Sequence, residues 1–108
     1  MEIIKQYEIY GANLDPTLGS EMKKVRPCLV VSPDEMNKYL NTITIAPLTT
    51  KSKNYPTRVK TQLAGKPSWI VLDQLRTIDR VRLNQRMGTI DGPTIGKVKQ
   101  LIKAMLVD

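Results

Sequence analysis

The sequence predicts a mainly β protein of the α+β class, in which an antiparallel sheet curls into a small barrel and one C-terminal helix closes it. Short apolar segments with a period of two, separated by turn residues, recur between residues 5 and 90. Beyond residue 90 the apolar period changes to that of a helix. The length of 108 residues indicates one domain, residues 1–108.

The first two strands flank a turn-rich, charged loop. Residues 5–14 alternate loosely and predict a strand, and residues 26–32 predict a second, β-branched one. Pro27 is expected at the start of the second strand, because proline cannot donate to a central ladder. Ser32, Pro33, Asp34 and Glu35 then resemble a helix start, which predicts a short helical turn from Met36 to Tyr39.

Three further strands follow from the same alternation, and two short ones beyond them could be added, which gives a sheet of five to seven strands. The clearest is TITIAPL, where threonine and isoleucine alternate, and Gly65-Lys66-Pro67 predicts a turn between two of the others. The predicted strands cover residues 42–48, 55–63, 68–75, 77–82 and 86–90.

The C-terminal segment has the pattern of an amphipathic helix. Asp91 is the predicted N-cap, with a glycine and a proline in the first turn. One apolar face is formed by Ile95, Val98, Leu101, Ile102, Met105 and Leu106. The opposite face carries lysines and is most simply a solvated surface rather than an RNA-binding one.

Charge is the most informative bulk property. Lysine and arginine number 17 against 10 acidic residues, which gives a formal charge of +7. Such a charge indicates either a polyanionic or acidic partner or a well-solvated surface.

Histidine is absent and Cys28 is the only cysteine, so no metal site and no cofactor are expected. Cys28 lies in an apolar segment and is expected to be buried and inert. No signal peptide or membrane span is predicted, so the expected location is the cytoplasm.

Four sequence blocks resemble one protein family when they are taken in order. They are NLDPTLGSEMKKVRPCLVVSPDEMN, TITIAPLTT, YPTRV and VLDQLRTIDRVRL. Each is weak alone, but together they resemble the MazF/PemK toxins of toxin–antitoxin systems. The resemblance implies an SH3-like barrel of the CcdB–PemK type, a symmetric homodimer, and metal-independent cleavage of single-stranded RNA. It also implies neutralisation by an acidic antitoxin with a disordered C-terminal tail.

The chain departs from the family pattern at three places. Tyr7-Glu8 stands where family members usually have Gly-Asp. Some PemK-type members have a histidine where Ser20 lies and an arginine where Val71 lies, so a mechanism that needs those two residues cannot operate here. The sequence therefore fits the MazF-like branch, for which the resemblance implies Arg26 and Thr49 as catalytic residues.

Metal-free RNA cleavage uses the substrate's own 2′-OH as the nucleophile and leaves a 2′,3′-cyclic phosphate and a 5′-OH. The protein must supply a proton acceptor, a proton donor, and hydrogen-bond donors for the charge on phosphorus. Arg26 suits the last role because its planar fork binds two phosphate oxygens. The Thr49 hydroxyl can hold a phosphate oxygen or the 2′-OH. Glu21 and Asp73 are the candidates for the base.

Other residues near these blocks are candidates for RNA binding or support. Lysines are expected to contact flanking phosphates, and a tyrosine beside them to stack on a base. The supporting candidates are Ser20, Glu21, Lys51, Lys53, Tyr55, Asp73, Gln74 and Arg76.

Structural alternatives stay open for several candidates. Arg26 could pair with Glu21 or Asp73 and fix the loop, and Asp73 with Gln74 could be a loop-fixing hydrogen-bonding pair. Trp69 is expected in the core. Two other functions also stay open: a non-enzymatic poison of DNA gyrase like CcdB, and an RNA-binding barrel without turnover.

Overall fold

A computed structural model of the protein describes residues 3–14, 25–51 and 55–107. Within these ranges the chain forms seven strands and two α-helices, together with two short 3-10 turns at Leu72–Gln74 and Arg80–Arg82. The strands are β1 (Glu8–Asn13), β2 (Val25–Val30), β3 (Thr42–Thr49), β4 (Arg58–Leu63), β5 (Lys66–Val71), β6 (Arg76–Asp79) and β7 (Leu83–Thr89). The helices are α1 (Asp34–Tyr39) and α2 (Gly92–Leu106).

The strands form one curled antiparallel sheet in the order β4-β5-β3-β2-β1-β7. One edge of the central strand β3 pairs with β2, and two strands share the other edge. Residues 42–45 pair there with β6, and Leu48 and Thr49 pair with β5. Among the described strands no pairing joins β4 to β7, so the barrel is open on that side. The predicted mainly β architecture with one C-terminal helix is confirmed.

Both faces of the sheet centre are buried, because alternate residues of each strand point to opposite faces. On β3, Ile43 and Ile45 belong to one core cluster, whereas Ala46 and Leu48 belong to the other. The second of these clusters packs under α2 through the fully buried Val98. Helix α2 therefore covers one face of the sheet and leaves the end of β3 uncovered on the other.

Helix α2 begins as the sequence predicted. The carboxylate of Asp91 accepts a hydrogen bond from the backbone N–H of Thr94 at 2.8 Å. The predicted apolar face packs on the sheet except at Leu106, which is 66% exposed near the helix end. The lysines of the opposite face are exposed, as expected for a solvated surface. No helix in the described ranges is long and apolar enough to cross a membrane.

The turn between β4 and β5 differs from the predicted one. It consists of Ala64 and Gly65, whose φ angles are 52° and 79°, and it joins the paired residues Leu63 and Lys66. Positive φ at both central residues is what a two-residue type I′ hairpin needs. Lys66 and Pro67, predicted as turn residues, are therefore in β5.

Strand ends differ elsewhere too. The strand predicted over residues 68–75 ends at Val71 and continues as a 3-10 turn. The strand predicted over residues 77–82 ends at Asp79, whose carboxylate accepts a hydrogen bond from the Val81 N–H at 3.2 Å and turns the chain. Local side-chain-to-backbone bonds of this kind compete with a sheet ladder.

Pro27 was expected at the start of its strand but is the third residue of β2. It pairs there with Gly11 on β1, while the ladder with β3 begins one residue later, at Cys28 and Pro47. Cys28 is fully buried, as expected, and burial raises the pKa of its thiol to about 12.

Candidate active site

Two strands separate at the point where the two predicted catalytic residues lie. Beyond the pair formed by Cys28 and Pro47, β2 and β3 make no further ladder contacts. Neither Pro27 nor Pro47 has an N–H to donate. Continuing the same register by two residues brings Arg26 opposite Thr49, at the mouth of the fork.

The register of the neighbouring strands extends this alignment across the sheet. Thr49 pairs with Trp69 on β5, and Trp69 pairs with Lys60 on β4. Cross-strand partners project from the same face, so Thr49, Trp69 and Lys60 form one line of side chains, here called the site row, and Arg26 lies across the fork from its Thr49 end. With paired strands about 4.8 Å apart, the site row spans about 10 Å. An adjacent cross-strand pair is Val71 and Arg58.

A small cavity of about 200 Å³ lies at the start of the site row. It brings together polar side chains from four separate segments. Its lining consists of Arg26, Pro47, Leu48, Thr49, Lys51, Arg58, Val71 and Gln74. A larger cavity of about 460 Å³ at the barrel mouth shares the wall formed by Arg26, Leu48, Thr49 and Lys51. The predicted catalytic pair therefore lies between two open cavities, both of which contain lysine or arginine side chains.

The Thr49 hydroxyl has a defined hydrogen-bonding state. Its oxygen accepts a hydrogen bond from the backbone N–H of Lys51 at 3.2 Å. A hydroxyl that accepts in this way can still donate its own proton. Thr49 therefore suits a donor to an anionic oxygen and does not suit a base.

Arg58 is a site residue that the sequence reasoning missed. Its side chain is 18% exposed, its guanidinium carbon lies 4.7 Å from the ring centroid of Tyr55, and its Nε lies 3.7 Å from Oδ1 of Asp73. The Thr57 hydroxyl donates to the same Oδ1 at 3.0 Å. Asp73 thus pairs with Arg58 and not with Arg26, which removes the alternative that Asp73 fixes Arg26.

The remaining predicted site residues divide into three groups. Lys51 and Gln74 line the small cavity, and Tyr55, 49% exposed, contacts Arg58. Arg76 is exposed on β6 opposite Ile45 and lines neither cavity. The third group, Ser20, Glu21 and Lys53, lies outside the described residues.

The prediction for Trp69 was wrong. It belongs to neither core cluster and is only partly buried, because it shares a face with Thr49 rather than with the buried Ile70 beside it. The missed signal was the alternation of SWIVL, which assigns Trp69 and Ile70 to opposite faces. Arg58 was missed because its position at the small cavity depends on the register between β4 and β5. The turn residues between these strands did not indicate that register.

The chemistry of the site is cationic. Within the described ranges, no group of three His, Cys, Asp or Glu side chains could hold a metal ion. Two arginines, a lysine, an amide and a hydroxyl surround a cavity large enough for a phosphate group. Fold and site together define a small curled β-barrel protein with a cationic cleft suited to a phosphodiester.

Comparison with known proteins gives the family. Residues 5–106 match the model for the PemK-like, MazF-like toxins of type II toxin–antitoxin systems. The chain is also 33% identical over 110 residues to Endoribonuclease EndoA of Bacillus subtilis (strain 168), with 96% of this chain and 95% of that protein covered. The chain belongs to this toxin family. The resemblance identified from the sequence blocks and the expected class, an endoribonuclease toxin, are confirmed.

Solved structures agree on the fold. MazF from Deinococcus radiodurans superposes with a TM-score of 0.81 at 23% identity, covering 98% of each chain. A MazE–MazF complex from the same organism gives a TM-score of 0.81 at 20% identity, covering 99% of this chain and 98% of that one. The predicted SH3-like, CcdB–PemK-type barrel is therefore confirmed.

The Tyr7-Glu8 departure from the family pattern has a structural cost. Tyr7 has a φ of 70°, in the left-handed region that glycine adopts readily and that is strained for a tyrosine. Its ring packs against the core cluster under α2, and burial raises the pKa of its phenol. Glu8 forms an ion pair with Arg86 on β7, so the departure leaves the small cavity untouched.

Proposed function

We propose that the chain is a single toxin domain that cleaves single-stranded RNA at the small cavity without a metal ion, producing a 2′,3′-cyclic phosphate and a 5′-OH. The observation that carries the proposal is the convergence of Arg26, Thr49 and Arg58 on one cavity of about 200 Å³. Two guanidinium groups and a hydroxyl suit the charge that develops on phosphorus during attack by the 2′-OH.

In the proposed reaction the 2′-oxygen bonds to phosphorus and passes its proton to a carboxylate, while the bond from phosphorus to the 5′-oxygen breaks and that oxygen takes a proton from water. Arg26 binds the non-bridging oxygens of the pentacoordinate state through its guanidinium fork. Thr49, whose oxygen already accepts from Lys51, donates to one of the same oxygens. By comparison with other preorganised donors, loss of Arg26 lowers the rate by about 100- to 1,000-fold or more.

The other residues are assigned supporting roles. Arg58 supplies a second positive charge, and Asp73 holds its guanidinium toward the cavity. That contact supports Asp73 as a positioning residue, so Glu21 is the proposed proton acceptor. Lys51 and Gln74 line the small cavity and are proposed to contact the oxygens of the bound phosphate. Ser20, Lys53, Tyr55 and Arg76 are proposed to contact flanking nucleotides.

The test is cleavage of a long RNA in the presence of EDTA. We expect cuts at a short sequence, 2′,3′-cyclic phosphate and 5′-OH ends, and resistance of a substrate with a 2′-deoxy residue at the cut. Arg26→Ala is expected to remove cleavage while leaving a folded protein that binds RNA more weakly, and Thr49→Ala to lower the rate less. Lys99→Gln, on the exposed face of α2, is the charge-matched control.

Several outcomes would contradict the proposal. Strict dependence on magnesium, or cleavage of the 2′-deoxy substrate, would exclude attack by the 2′-OH. Saturable RNA binding with no cleavage would favour a binding barrel without turnover. Unfolding of Arg26→Ala would assign Arg26 a structural role.

We further propose that the site is blocked by the acidic, disordered C-terminal tail of an antitoxin. The Deinococcus radiodurans complex joins MazE to MazF, and the charge of +7 here supports an acidic partner. The chain is proposed to act as a symmetric homodimer in the cytoplasm.

A titration of tail peptide against labelled RNA at two salt concentrations tests whether the tail blocks the site. We expect competition, with association that slows as salt screens the charges over about 8 Å. Simultaneous, salt-independent binding would refute it.

A further inference from the structure

Trp69 is the only tryptophan of the chain and lies in the site row between Thr49 and Lys60. Its backbone is one strand spacing, about 5 Å, from the backbone of the proposed catalytic threonine. It is partly buried and outside both core clusters. Trp69 lines neither cavity, but its side chain lies on the same face of the sheet as Thr49, one strand further from Arg26.

The indole makes contacts unlike those of a core tryptophan. Its N–H is buried, and among the described residues it finds no hydrogen-bond acceptor. A buried tryptophan normally satisfies this group, and leaving it unsatisfied costs stability. Phenylalanine or leucine would fill the same space without that cost, so packing alone gives no reason for an indole here.

A flexible cation accompanies the ring. The ammonium of Lys60 lies 5.8 Å from the ring centroid, and the lysine is exposed at the edge of the sheet. Lysine has a flexible stem, so an incoming base can displace the ammonium from the ring. The displaced ammonium then remains close enough to meet the phosphate of the same nucleotide. Stacking surfaces interleaved with cations are how proteins bind single-stranded nucleic acids.

We propose that Trp69 determines specificity by stacking on the base of a nucleotide next to the cut, with Lys60 neutralising the adjoining phosphate. This inference rests on the proposed function, because it takes the bond beside Arg26 and Thr49 as the one that is cut. Indole has the largest π-face among side chains, so the position favours a base that stacks strongly. Trp69 therefore contributes to sequence selection as well as affinity.

The single tryptophan allows a direct test. Full-length protein is titrated with an RNA that carries a 2′-deoxy residue at the cut position, and binding is followed both by anisotropy of a labelled RNA and by tryptophan emission. Stacking predicts that emission is quenched with the same midpoint as the anisotropy change. Trp69→Leu is expected to weaken binding about 5- to 150-fold, and Trp69→Phe less. Lys99→Gln is the control for a remote charge.

Specificity is read from a set of cleavable RNAs in which the base on either side of the cut is varied. Trp69→Leu should flatten the preference at one of these positions and leave the others unchanged, while Trp69→Phe keeps part of it. Thermal unfolding of each variant shows that it is folded. The wild-type quenching measurement needs no variant, so the proposal stays testable if Trp69→Leu does not fold.

The outcomes separate this inference from the proposed function. If the wild type cleaves RNA but its emission is unchanged at saturation, the inference is overturned and the proposed function stands. A folded Trp69→Leu variant with unchanged base preferences overturns the inference in the same way. If the wild type does not cleave the all-ribose RNA, the proposed function fails and this inference fails with it.

Discussion

Replacing Asp73 with asparagine discriminates between the two roles that a carboxylate in this position can have. Asparagine keeps the size of the side chain and its Oδ1, so the hydrogen bond from the Thr57 hydroxyl survives. What is lost is the negative charge 3.7 Å from Nε of Arg58. The change therefore removes a base, if Asp73 is one, or only an ion-pair partner.

The expected magnitudes differ enough to decide. The two side chains are 18% and 37% exposed, so solvent screens the pair and its contribution is that of surface ion pairs, about 0.2–1 kcal/mol. Transmitted in full to the transition state, 1 kcal/mol is about a fivefold loss of rate. A general base is worth about 100- to 10,000-fold. We expect Asp73→Asn to lower the single-turnover rate by less than tenfold.

The assay is single-turnover cleavage of a short RNA labelled on both sides of the cut, with excess enzyme. Arg58→Gln is the companion variant, and we expect a greater loss from it than from Asp73→Asn. A folded Asp73→Asn enzyme that is 100-fold slower or worse would show that Asp73 transfers protons, and the role assigned here would be wrong.

Three further predictions concern stability and reactivity. Ala64→Asn should raise the melting temperature by about 2–8 °C, because Ala64 occupies a left-handed conformation that asparagine tolerates better; a lower melting temperature would contradict the type I′ turn. Hydrogen bonds from Thr94 hold the pKa of Asp91 below its usual value. The stability difference between wild type and Asp91→Ala should therefore be full at pH 7 and shrink below about pH 4, whereas a pH-independent difference in thermal unfolding would exclude this cap. The thiol of Cys28, with a pKa of about 12, should react with a disulfide reagent at pH 8 only after unfolding, and rapid native reaction would show that it is accessible.

Features set by local chemistry were predictable from the sequence. The alternation of TITIAPL indicated β3, and Asp91 indicated the start of α2, because period and capping act within a few residues. Arg26 and Thr49 required the family resemblance, since in the sequence they are 23 positions apart with no shared pattern. Their proximity depends on a fork between β2 and β3 that two prolines define.

Features set by register were not predictable. Arg58 looked like one polar position of a half-exposed strand, and its contact with the small cavity depends on how β4 aligns with β5. Trp69 was assigned to the core on hydrophobicity, although the period of two assigns it to the other face. A shift of register by one residue exchanges the two faces of a strand, so such sites depend on pairing that a single sequence does not specify.

The edge position of β4 gives its cations a second role. Among the described strands β4 pairs only with β5, and its other edge faces the gap in the barrel. Unpaired strand edges template aggregation, and charged side chains are a common protection against it. We therefore expect Arg58 and Lys60 to disfavour edge-to-edge association of two copies of the chain. Replacing both cations with apolar residues would favour self-association of the protein at the concentrations reached during expression. Substitutions at these two positions that suit a different RNA must therefore also keep the protein from aggregating.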